Sequence, residues 1–272
     1  MQPKYIDIHS HINFKAFDKD RDEVIRRALE NNTWIINVGT QIDTSQKAVE
    51  IANQYKGGVY ATIGLHPIHT DVSFHDKQEL SSEGQEFTSR GEVFNREEYK
   101  KLLSNTKVVG IGECGLDYYH CTKESISKQK NAFIEQIKLA NEFNKPLMLH
   151  IRNAYKDALE ILKAYAKVKG NAHFFAGNLE DAKNFLNFGF TLSFTGVITF
   201  THDYDEVIKN TPLNMIMSET DSPYVTPVPY RGKRNEPFYV KEVVKKIAEI
   251  KNLPEEEVAK AIIENTKRVF TL

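Results

Sequence analysis

The sequence contains little cysteine and no long apolar segment. Cys114 and Cys121 are the only cysteines among 272 residues, which argues against a disulfide-stapled fold and favours a reducing compartment. No run of about 18 apolar residues is present, so no membrane-spanning helix is expected. Residues 1–10 also lack the basic and apolar regions of a signal peptide. These absences predict a cytoplasmic protein that does not contact a membrane.

The chain also lacks an excess of charge of either sign. Lys and Arg total 36 and Asp and Glu total 37, which gives a formal net charge of -1. A protein that binds nucleic acid through a broad basic surface would be far more positive. An anionic substrate must therefore be held by a local site, by a metal ion, or by both.

Short β-rich apolar runs alternate with helical patterns along the whole chain. The eight runs are residues 5–11, 33–40, 59–66, 108–113, 146–151, 171–176, 190–196 and 213–220. Several are apolar almost throughout, which is typical of parallel strands covered on both faces. Helical periodicity occupies residues 125–143, with Ser125 as the N-cap, and residues 236–250 and 254–265. Eight strand–helix units predict a TIM-type (β/α)8 barrel, an α/β fold that forms a single domain over residues 1–272. A doubly wound sheet is the alternative, but it usually has fewer strands.

One polar segment interrupts this alternation. Residues 69–98, HTDVSFHDKQELSSEGQEFTSRGEVFNREE, follow the third predicted strand and show no regular pattern. In a barrel they would lie on the face where active sites form. A loop of this length is more often functional or mobile than structural. We expect an insertion into the domain and not a domain boundary, because the strand–helix alternation resumes after it.

Side chains that bind metals occur at or near the ends of five predicted strands. They are His9 and His11 on the first strand, Glu113 on the fourth, His150 on the fifth, His173 on the sixth and Asp221 just after the eighth. In a barrel, the carboxyl ends of the strands meet at one mouth. Imidazole and carboxylate are ligand types for zinc, manganese, iron and, less favourably, magnesium. The sequence therefore predicts a metal centre at the mouth of the barrel.

Several of these residues have a simpler explanation when taken alone. His150 and His173 are each compatible with a hydrogen-bonded core histidine, and Asp221 with a turn before Ser222 and Pro223. An ionised carboxylate at the end of an apolar strand, however, is unfavourable unless it is paired or bound to a metal. The coincidence of ligand residues at five strand ends favours the metal centre.

Other residues near the same mouth suit a substrate that contains phosphate. His66 ends the third predicted strand, and Arg152 lies two residues after His150, on the same side of the strand. The loop after the eighth strand adds three cations, Arg231, Lys233 and Arg234. Because arginine suits phosphate oxygens, we interpret these five residues as substrate-binding. The alternatives are a turn at His66, a structural salt bridge at Arg152, and a solvated loop in which Asn235 caps the next helix.

Seven motifs cover most of the chain. In order they are DIHSH (7–11), IGLHP (63–67), GIGECGLDYY (110–119), PLMLHIRNA (146–154), AHFFAG (172–177), ETDSPYVTP (219–227) and RGKRNEP (231–237). In this order they resemble the TatD-like metal-dependent deoxyribonucleases of the amidohydrolase superfamily. The sixth-strand motif departs from the family's usual His-Cys-Phe-Ser-Gly, because Phe174 and Ala176 replace the small polar residues. The segment 69–98 is also longer than expected for the family.

The resemblance implies a barrel that holds two divalent metal ions, either Mg²⁺, Mn²⁺ or Zn²⁺. The implied ligand sets share Glu113 as a bridge: one is His9, His11, Glu113 and Asp221, and the other is Glu113, His150 and His173. The implied activity is hydrolysis of DNA phosphodiester bonds, often from the 3′ end, with single-stranded DNA or 3′ ends as the substrate. Removal of D-amino acids from mischarged tRNA is a second activity linked to the family.

The chemistry of such a centre assigns catalytic roles to Asp221 and Glu113. Metal ions would lower the pKa of a water, Asp221 would accept its proton, and Glu113 would fix the metal spacing. Three functions are open: a DNA phosphodiesterase, an ester or amide hydrolase such as a D-aminoacyl-tRNA deacylase, and a non-catalytic metal-dependent nucleic-acid-binding protein. The first is favoured, because Glu113 stands where some barrel amidohydrolases use a carbamylated lysine. No obligate protein partner is expected.

Overall fold

The computed structural model describes residues 2–75, 87–119 and 121–272, and its main element is an eight-stranded parallel sheet. The strands are β1 (Tyr5–Ser10), β2 (Thr33–Val38), β3 (Val59–Ile63), β4 (Ser73–His75), β5 (Phe87–Ser89), β6 (Val108–Asp117), β7 (Leu147–Arg152), β8 (Gly170–Ala172), β9 (Thr191–Phe194) and β10 (Ile216–Ser218). The helices are α1 (Arg21–Glu30), α2 (Ile42–Asn53), α3 (Arg96–Leu102), α4 (Lys123–Phe143), α5 (Tyr155–Tyr165), α6 (Leu179–Phe188), α7 (Asp205–Asn210), α8 (Val240–Lys251) and α9 (Glu255–Phe270). The order of the large sheet is β1-β2-β3-β6-β7-β8-β9-β10. The predicted TIM-type barrel is therefore confirmed.

Apolar side chains pack on both faces of the sheet. Ile6, Ile36, Met148 and Met217 come from four different strands and form one buried cluster, which Phe270 of α9 joins. A larger buried cluster combines strand residues with the apolar faces of the helices. Burying one such side chain contributes about 1.5–3 kcal/mol. Burial on both faces is the reason that the strands read as nearly continuous apolar runs in the sequence.

Backbone hydrogen bonds close the barrel at its mouth, between the segment after β10 and the end of β1. The Asp221 amide donates to the His9 carbonyl at 2.8 Å, and the His11 amide donates to the Ser222 carbonyl at 2.8 Å. The first and last strands of the barrel are thus joined beside the predicted metal ligands.

The buried carboxylate of Asp7 reinforces this closure. It accepts the Thr220 amide at 2.8 Å and the Thr220 hydroxyl at 2.5 Å, across 213 positions of sequence. It also faces the His9 amide at 3.3 Å. We call residues 7–11 together with residues 220–222 the mouth seam.

β6 is longer than predicted, because two glycines let it continue past residue 113. The sequence predicts an end at that residue, but the strand runs to Asp117. A Cβ on Gly112 would lie 2.4 Å from the Met148 carbonyl oxygen, and one on Gly115 would lie 2.1 Å from that of His150. Only glycine allows β6 to approach β7 this closely. The extension brings Asp117 to the mouth.

Other boundaries differ from the predicted ones by a few residues. α4 begins two residues earlier than predicted, and its N-cap is Thr122 and not Ser125. The Thr122 hydroxyl accepts the Ser125 amide at 3.2 Å, and the Ser125 hydroxyl accepts the Thr122 amide at 3.1 Å. β10 is shorter than predicted, because residues 213–215 form a 3-10 turn. α9 continues to Phe270, beyond its predicted end.

The polar insertion is more regular than predicted where the structure describes it. A 3-10 turn (Pro67–Thr70) leads to β4, which pairs antiparallel with β5. α3 begins within the insertion, at Arg96. Residues 76–86 lie outside the described residues.

Cys114 and Cys121 are both free thiols. Among the described residues, no helix combines the length and the apolar character needed to cross a membrane. The cytoplasmic location and the assignment of residues 1–272 to one domain stay predictions.

Candidate metal centre

A single buried carboxylate, that of Glu113, lies at the centre of the histidines. Its Oε2 atom is 3.3 Å from His9 Nε2 and 3.6 Å from His11 Nε2. Its Oε1 atom is 3.0 Å from His150 Nδ1 and 2.8 Å from His173 Nε2. Only 3 % of Glu113 is exposed. The two carboxylate oxygens therefore face different imidazoles, with His66 as a third ring on the Oε1 side.

Asp221 completes the group on the Oε2 side of Glu113. Its Oδ1 atom lies 3.4 Å from His11 Nε2 and 3.8 Å from His9 Nε2. The residue has a left-handed φ of +56°, a region in which Asp and Asn are enriched among non-glycine residues. The backbone of the mouth seam thus turns this carboxylate toward His9 in β1 and His11 just after it.

Asn235 fixes the turn that carries Asp221. Its buried side-chain amide donates to the Thr220 carbonyl at 2.9 Å and to the Tyr224 carbonyl at 2.6 Å. Asn235 therefore supports the site and does not cap the next helix, which begins at Val240.

Hydrogen-bond acceptors outside the cluster orient the imidazoles. The Val38 carbonyl lies 3.1 Å from His11 Nδ1, and Asp117 Oδ2 lies 2.9 Å from His150 Nε2. Each acceptor favours a proton on the ring nitrogen that it faces, so the nitrogen that faces Glu113 is the one that can bind a cation once it has lost its own proton. Imidazoles held in this way are prepared to bind a cation.

Glu219 was not predicted from the sequence, yet its carboxylate is an ion-pair partner of His173. Its Oε1 atom is 3.3 Å from His173 Nδ1 and accepts the Phe174 amide at 2.5 Å, while Oε2 accepts the Ser193 hydroxyl at 2.7 Å. Glu219 is fully buried. The sequence did contain a signal for Glu219, because Asp221 was selected as an acidic residue near the end of the eighth predicted strand and Glu219 meets the same criterion.

Glu219→Gln should weaken cation binding by about 10–100-fold, the effect usually seen when a partner of a metal-binding histidine is lost. Glutamine has the same size and can still accept the Phe174 amide, so we expect the fold to survive. A neutral amide, however, attracts the His173 imidazole less strongly than a carboxylate at 3.3 Å does. Titration with Mn²⁺ against a competing chelator checks this prediction. Wild-type affinity in the variant would show that Glu219 serves only to pack the site.

His66 contacts Glu113 but is oriented as a hydrogen-bond donor. Its Nε2 atom is 3.2 Å from Glu113 Oε1, and its Nδ1 atom accepts the Ile68 amide at 3.2 Å. Burial lowers the pKa of His66, so the ring is neutral at pH 7 and carries its proton on Nε2. His66 is therefore placed to donate a hydrogen bond into the centre and not to bind a cation.

The buried carboxylate and the imidazoles shift one another's pKa. Burial alone would raise the pKa of Glu113, but the surrounding imidazoles, above all those of His66 and His173, hold it well below its usual range. Burial also opposes a charge on His150, yet hydrogen bonds to Asp117 and Glu113 raise its pKa to about 9. A cation that binds the His150 imidazole must therefore displace a proton.

The donor set suits divalent cations. Within the described ranges, three groups of ligand atoms lie within 4.8 Å of one another: His9, His173 and Asp221; His9, His11 and Glu113; and His66, Glu113 and His150. The proton on Nε2 removes His66 from the third group as a ligand. Imidazole nitrogens around carboxylate oxygens match the preferences of zinc and manganese. The six predicted ligands are thus gathered at one place, and their metal-binding role stays a prediction.

The sequence matches the family model described as TatD related DNase over residues 6–271. The chain belongs to the TatD related DNase family. It is 39 % identical over 271 residues to YabD of Bacillus subtilis, with 98 % of each chain covered. It is 32 % identical over 271 residues to MJ1582 of Methanocaldococcus jannaschii, with 98 % of this chain and 97 % of that one covered. Both relatives are named as uncharacterized metal-dependent hydrolases. The chain is therefore a metal-dependent hydrolase of the TatD family.

Solved TatD structures share the fold over the full length. The crystal structure of the TatD homologue YJJV from Escherichia coli K12 has a TM-score of 0.84 and 27 % identity, with 100 % of both chains covered. A TatD family hydrolase from Entamoeba histolytica has a TM-score of 0.80 and 24 % identity, with 99 % of both chains covered. The second likeness supports the fold alone.

The residues after His173, where the TatD sixth-strand motif differs in this chain, make their polar contacts through the backbone. Phe174 has a left-handed φ of +42°, and its backbone amide donates to Glu219. The backbone amide of Ala176 donates to the Tyr155 hydroxyl at 2.9 Å. Backbone amides, and not small polar side chains at positions 174 and 176, therefore make the polar contacts of this motif.

Arg234, one of the predicted substrate-binding cations of this TatD protein, is held in a bidentate ion pair. Its Nη1 and Nη2 atoms donate to the Asp20 carboxylate at 2.9 and 2.6 Å, and its guanidinium lies 4.4 Å from the centre of the Phe17 ring. Such a bidentate pair ties the loop after β10 to the start of α1. We therefore leave Arg234 out of the proposed phosphate-binding set.

The remaining predicted cations are exposed on the mouth side. The Arg152 guanidinium lies 3.6 Å from the centre of the Tyr119 ring, and that of Arg231 lies 4.1 Å from the centre of the Phe200 ring. Lys233 is exposed in the same loop as Arg231. Their role in binding phosphate stays a prediction.

Proposed function

We propose that this TatD-family hydrolase is a deoxyribonuclease that removes nucleotides from the 3′ end of single-stranded DNA with two divalent cations, Mg²⁺, Mn²⁺ or Zn²⁺. The observation that carries the proposal is the position of Glu113, whose Oε2 atom faces His9 and His11 while its Oε1 atom faces His150 and His173, with His66 also on the Oε1 side. A carboxylate shared in this way suits a bridged pair of cations. The proposed ligand sets are His9, His11, Glu113 and Asp221 for one cation and Glu113, His150 and His173 for the other.

The protein's own groups have distinct tasks in this reaction. Bound cations supply Lewis acidity and lower the pKa of water toward neutral pH. Asp221, whose side chain is 13 % exposed at the edge of the centre, accepts the proton of the attacking water. His66 donates its Nε2–H to a phosphoryl oxygen. The negative charge of the DNA backbone is offset by Arg152, Arg231 and Lys233. A local group of cations is needed because the whole chain has a net charge of -1.

Release of labelled nucleotide from 3′-labelled single-stranded DNA by the purified Mn²⁺-loaded protein tests the proposal. We expect a product that EDTA abolishes and that added Mn²⁺ restores, because the catalytic arrangement requires the cations. Protein carrying Glu113→Gln and purified in the same way controls for contaminating nucleases.

A parallel reaction with D-aminoacyl-tRNA separates the alternatives. Intact DNA together with hydrolysed D-aminoacyl-tRNA would replace the proposal with a deacylase on the same centre. The absence of EDTA-sensitive product from either substrate would contradict both activities and favour a non-catalytic nucleic-acid-binding protein.

A further inference from the structure

A row of aromatic rings runs through the metal centre and has a phenylalanine at each end. The Phe14 ring stacks on the His11 imidazole, with the ring centres 4.5 Å apart and the planes 10° apart. The His9 ring lies edge-on to that of His11 at 4.9 Å and stacks on that of His173 at 3.8 Å. The Phe174 ring lies edge-on to that of His173 at 6.4 Å. Each phenylalanine therefore lies beside a proposed metal ligand.

Packing in the apolar core does not account for these two rings. Phe14 and Phe174 are both partly exposed, although phenylalanine is among the residues most often buried. Among the described residues, the two buried apolar clusters and the side chains packed against them include neither of the two. Phe175, by contrast, is buried in the larger cluster. The two phenylalanines therefore line the mouth and not the core.

One arginine fixes the backbone that carries the Phe14 ring. Arg21 donates from Nε to the Ile12 carbonyl at 2.8 Å and from Nη2 to the Phe14 carbonyl at 3.2 Å. The Phe14 amide donates to the His11 carbonyl at 3.0 Å. Because the His11 imidazole covers one face of the Phe14 ring, the exposed part of the ring lies away from that imidazole.

The backbone of Phe174 is held in an unfavourable conformation. Its left-handed φ of +42° is a genuine outlier for a bulky residue. The hydrogen bond from its amide to Glu219 keeps it there. Burial of the ring in the core does not offset the strain, and strained residues of this kind cluster where proteins hold their ligands. The conformation therefore favours a role for this ring in contacting the substrate.

Phenylalanine rings suit the uncharged, flat parts of a nucleic acid. The phosphates are anionic and are matched by cations, whereas the bases stack on aromatic rings whatever their sequence. In a nucleotide, a single sugar separates the base from the 5′-phosphate. A phosphate held at the metal centre therefore keeps its base close to side chains that lie beside the metal ligands.

We propose that Phe14 and Phe174 line an apolar site for the base of the nucleotide whose phosphate the metal centre holds. Because phenylalanine side chains carry no hydrogen-bonding groups, the site accepts each of the four bases. This inference rests on the proposed deoxyribonuclease activity and adds to it the part of the nucleotide that is recognised beside the scissile bond.

The test compares two ligands that differ only in the base. Isothermal titration calorimetry on the Mn²⁺-saturated protein measures its affinity for thymidine 5′-monophosphate and for 2-deoxyribose 5-phosphate. The wild-type protein should bind the nucleotide about tenfold more tightly. Phe14→Leu and Phe174→Leu should each lower this ratio, and the double variant should bring it close to one, because leucine is apolar but has no flat face. A loss of bound Mn²⁺ would weaken both ligands alike.

Three further variants serve as controls. Phe14→Tyr and Phe174→Tyr keep the aromatic ring and should therefore keep the ratio. Tyr165→Leu makes a comparable change away from the mouth and should leave the ratio unaltered. Tyr165 is 43 % exposed and ends α5, and a helix that follows a barrel strand runs back toward the opposite end of the barrel.

The outcomes separate the base site from the activity on which it rests. Equal affinity of the wild-type protein for the two ligands, no binding of thymidine 5′-monophosphate, or an unchanged ratio in the double variant would overturn the base site. EDTA-sensitive release of nucleotide from 3′-labelled DNA by the same preparation would then leave the deoxyribonuclease intact. The absence of that release would instead contradict the deoxyribonuclease and the base site with it.

Discussion

The Asp221→Asn variant should lose DNA cleavage by a factor of about 10²–10⁴, the usual contribution of a positioned proton acceptor. Asparagine has the shape of aspartate and tolerates the left-handed φ of +56° at this position, so the turn should be kept. Its amide oxygen can still face His11 and His9, but it cannot take a proton from water. The measurement is kcat on 3′-labelled single-stranded DNA at saturating Mn²⁺, together with the metal content and the circular dichroism of the variant.

Asp203→Asn is the matched control for this variant. Asp203 is an exposed carboxylate that contacts the Thr201 hydroxyl at 2.6 Å, so its replacement should leave kcat unchanged. If the Asp221→Asn protein is folded, loaded with metal and still cleaves DNA at close to the wild-type rate, the role of Asp221 as proton acceptor is wrong.

The Glu113→Gln variant should lose both cleavage and the paired binding of cations. A glutamine side chain has one oxygen and one NH₂ group. Its oxygen can face the histidines on one side, but its NH₂ group then directs hydrogen-bond donors at the histidines on the other side. We expect bound Mn²⁺ to fall from two ions to at most one per chain and cleavage to fall to background, because the amide would offer a pair of cations only one oxygen and no negative charge. Metal analysis after gel filtration and a titration with Mn²⁺ measure this effect.

Glu92→Gln provides a control with the same chemical change outside the centre. The Glu92 carboxylate accepts the Tyr99 hydroxyl at 2.8 Å and the Ile42 amide at 3.2 Å, so its loss should alter local packing and not the metal count. A Glu113→Gln protein that still binds two Mn²⁺ ions with wild-type affinity would contradict the bridge.

The clustering of the six predicted ligands could be predicted because it follows from the common direction of the strands. In a parallel barrel every strand ends at the same mouth, so His9, Glu113 and Asp221 need no local sequence signal to come together. The strands that carry them could be recognised in the sequence from their apolar runs alone. The predicted sites of the barrel therefore depended on the most reliable property of the sequence, its apolar periodicity.

The supporting residues were harder to predict, because their roles depend on details of the backbone. Asp117 reaches His150 only because two glycines extend β6. The orientation of His66 follows from the 3-10 turn after β3, which places the Ile68 amide against Nδ1. Arg234 pairs with Asp20, 214 positions away. None of these contacts has a period or a spacing that a reader of the sequence could detect.

The mouth seam has a consequence for the way the protein is made. A chain is synthesised from its N-terminus, so the histidines of β1 emerge early, whereas Asp221 follows about two hundred residues later. Until the last strand has left the ribosome and docked on the first, Asp221 is missing from the cluster and Asp7 has no Thr220 to bind. On the proposed function, a chain that ends before β10 would therefore be inert toward nucleic acid, because it would lack Asp221.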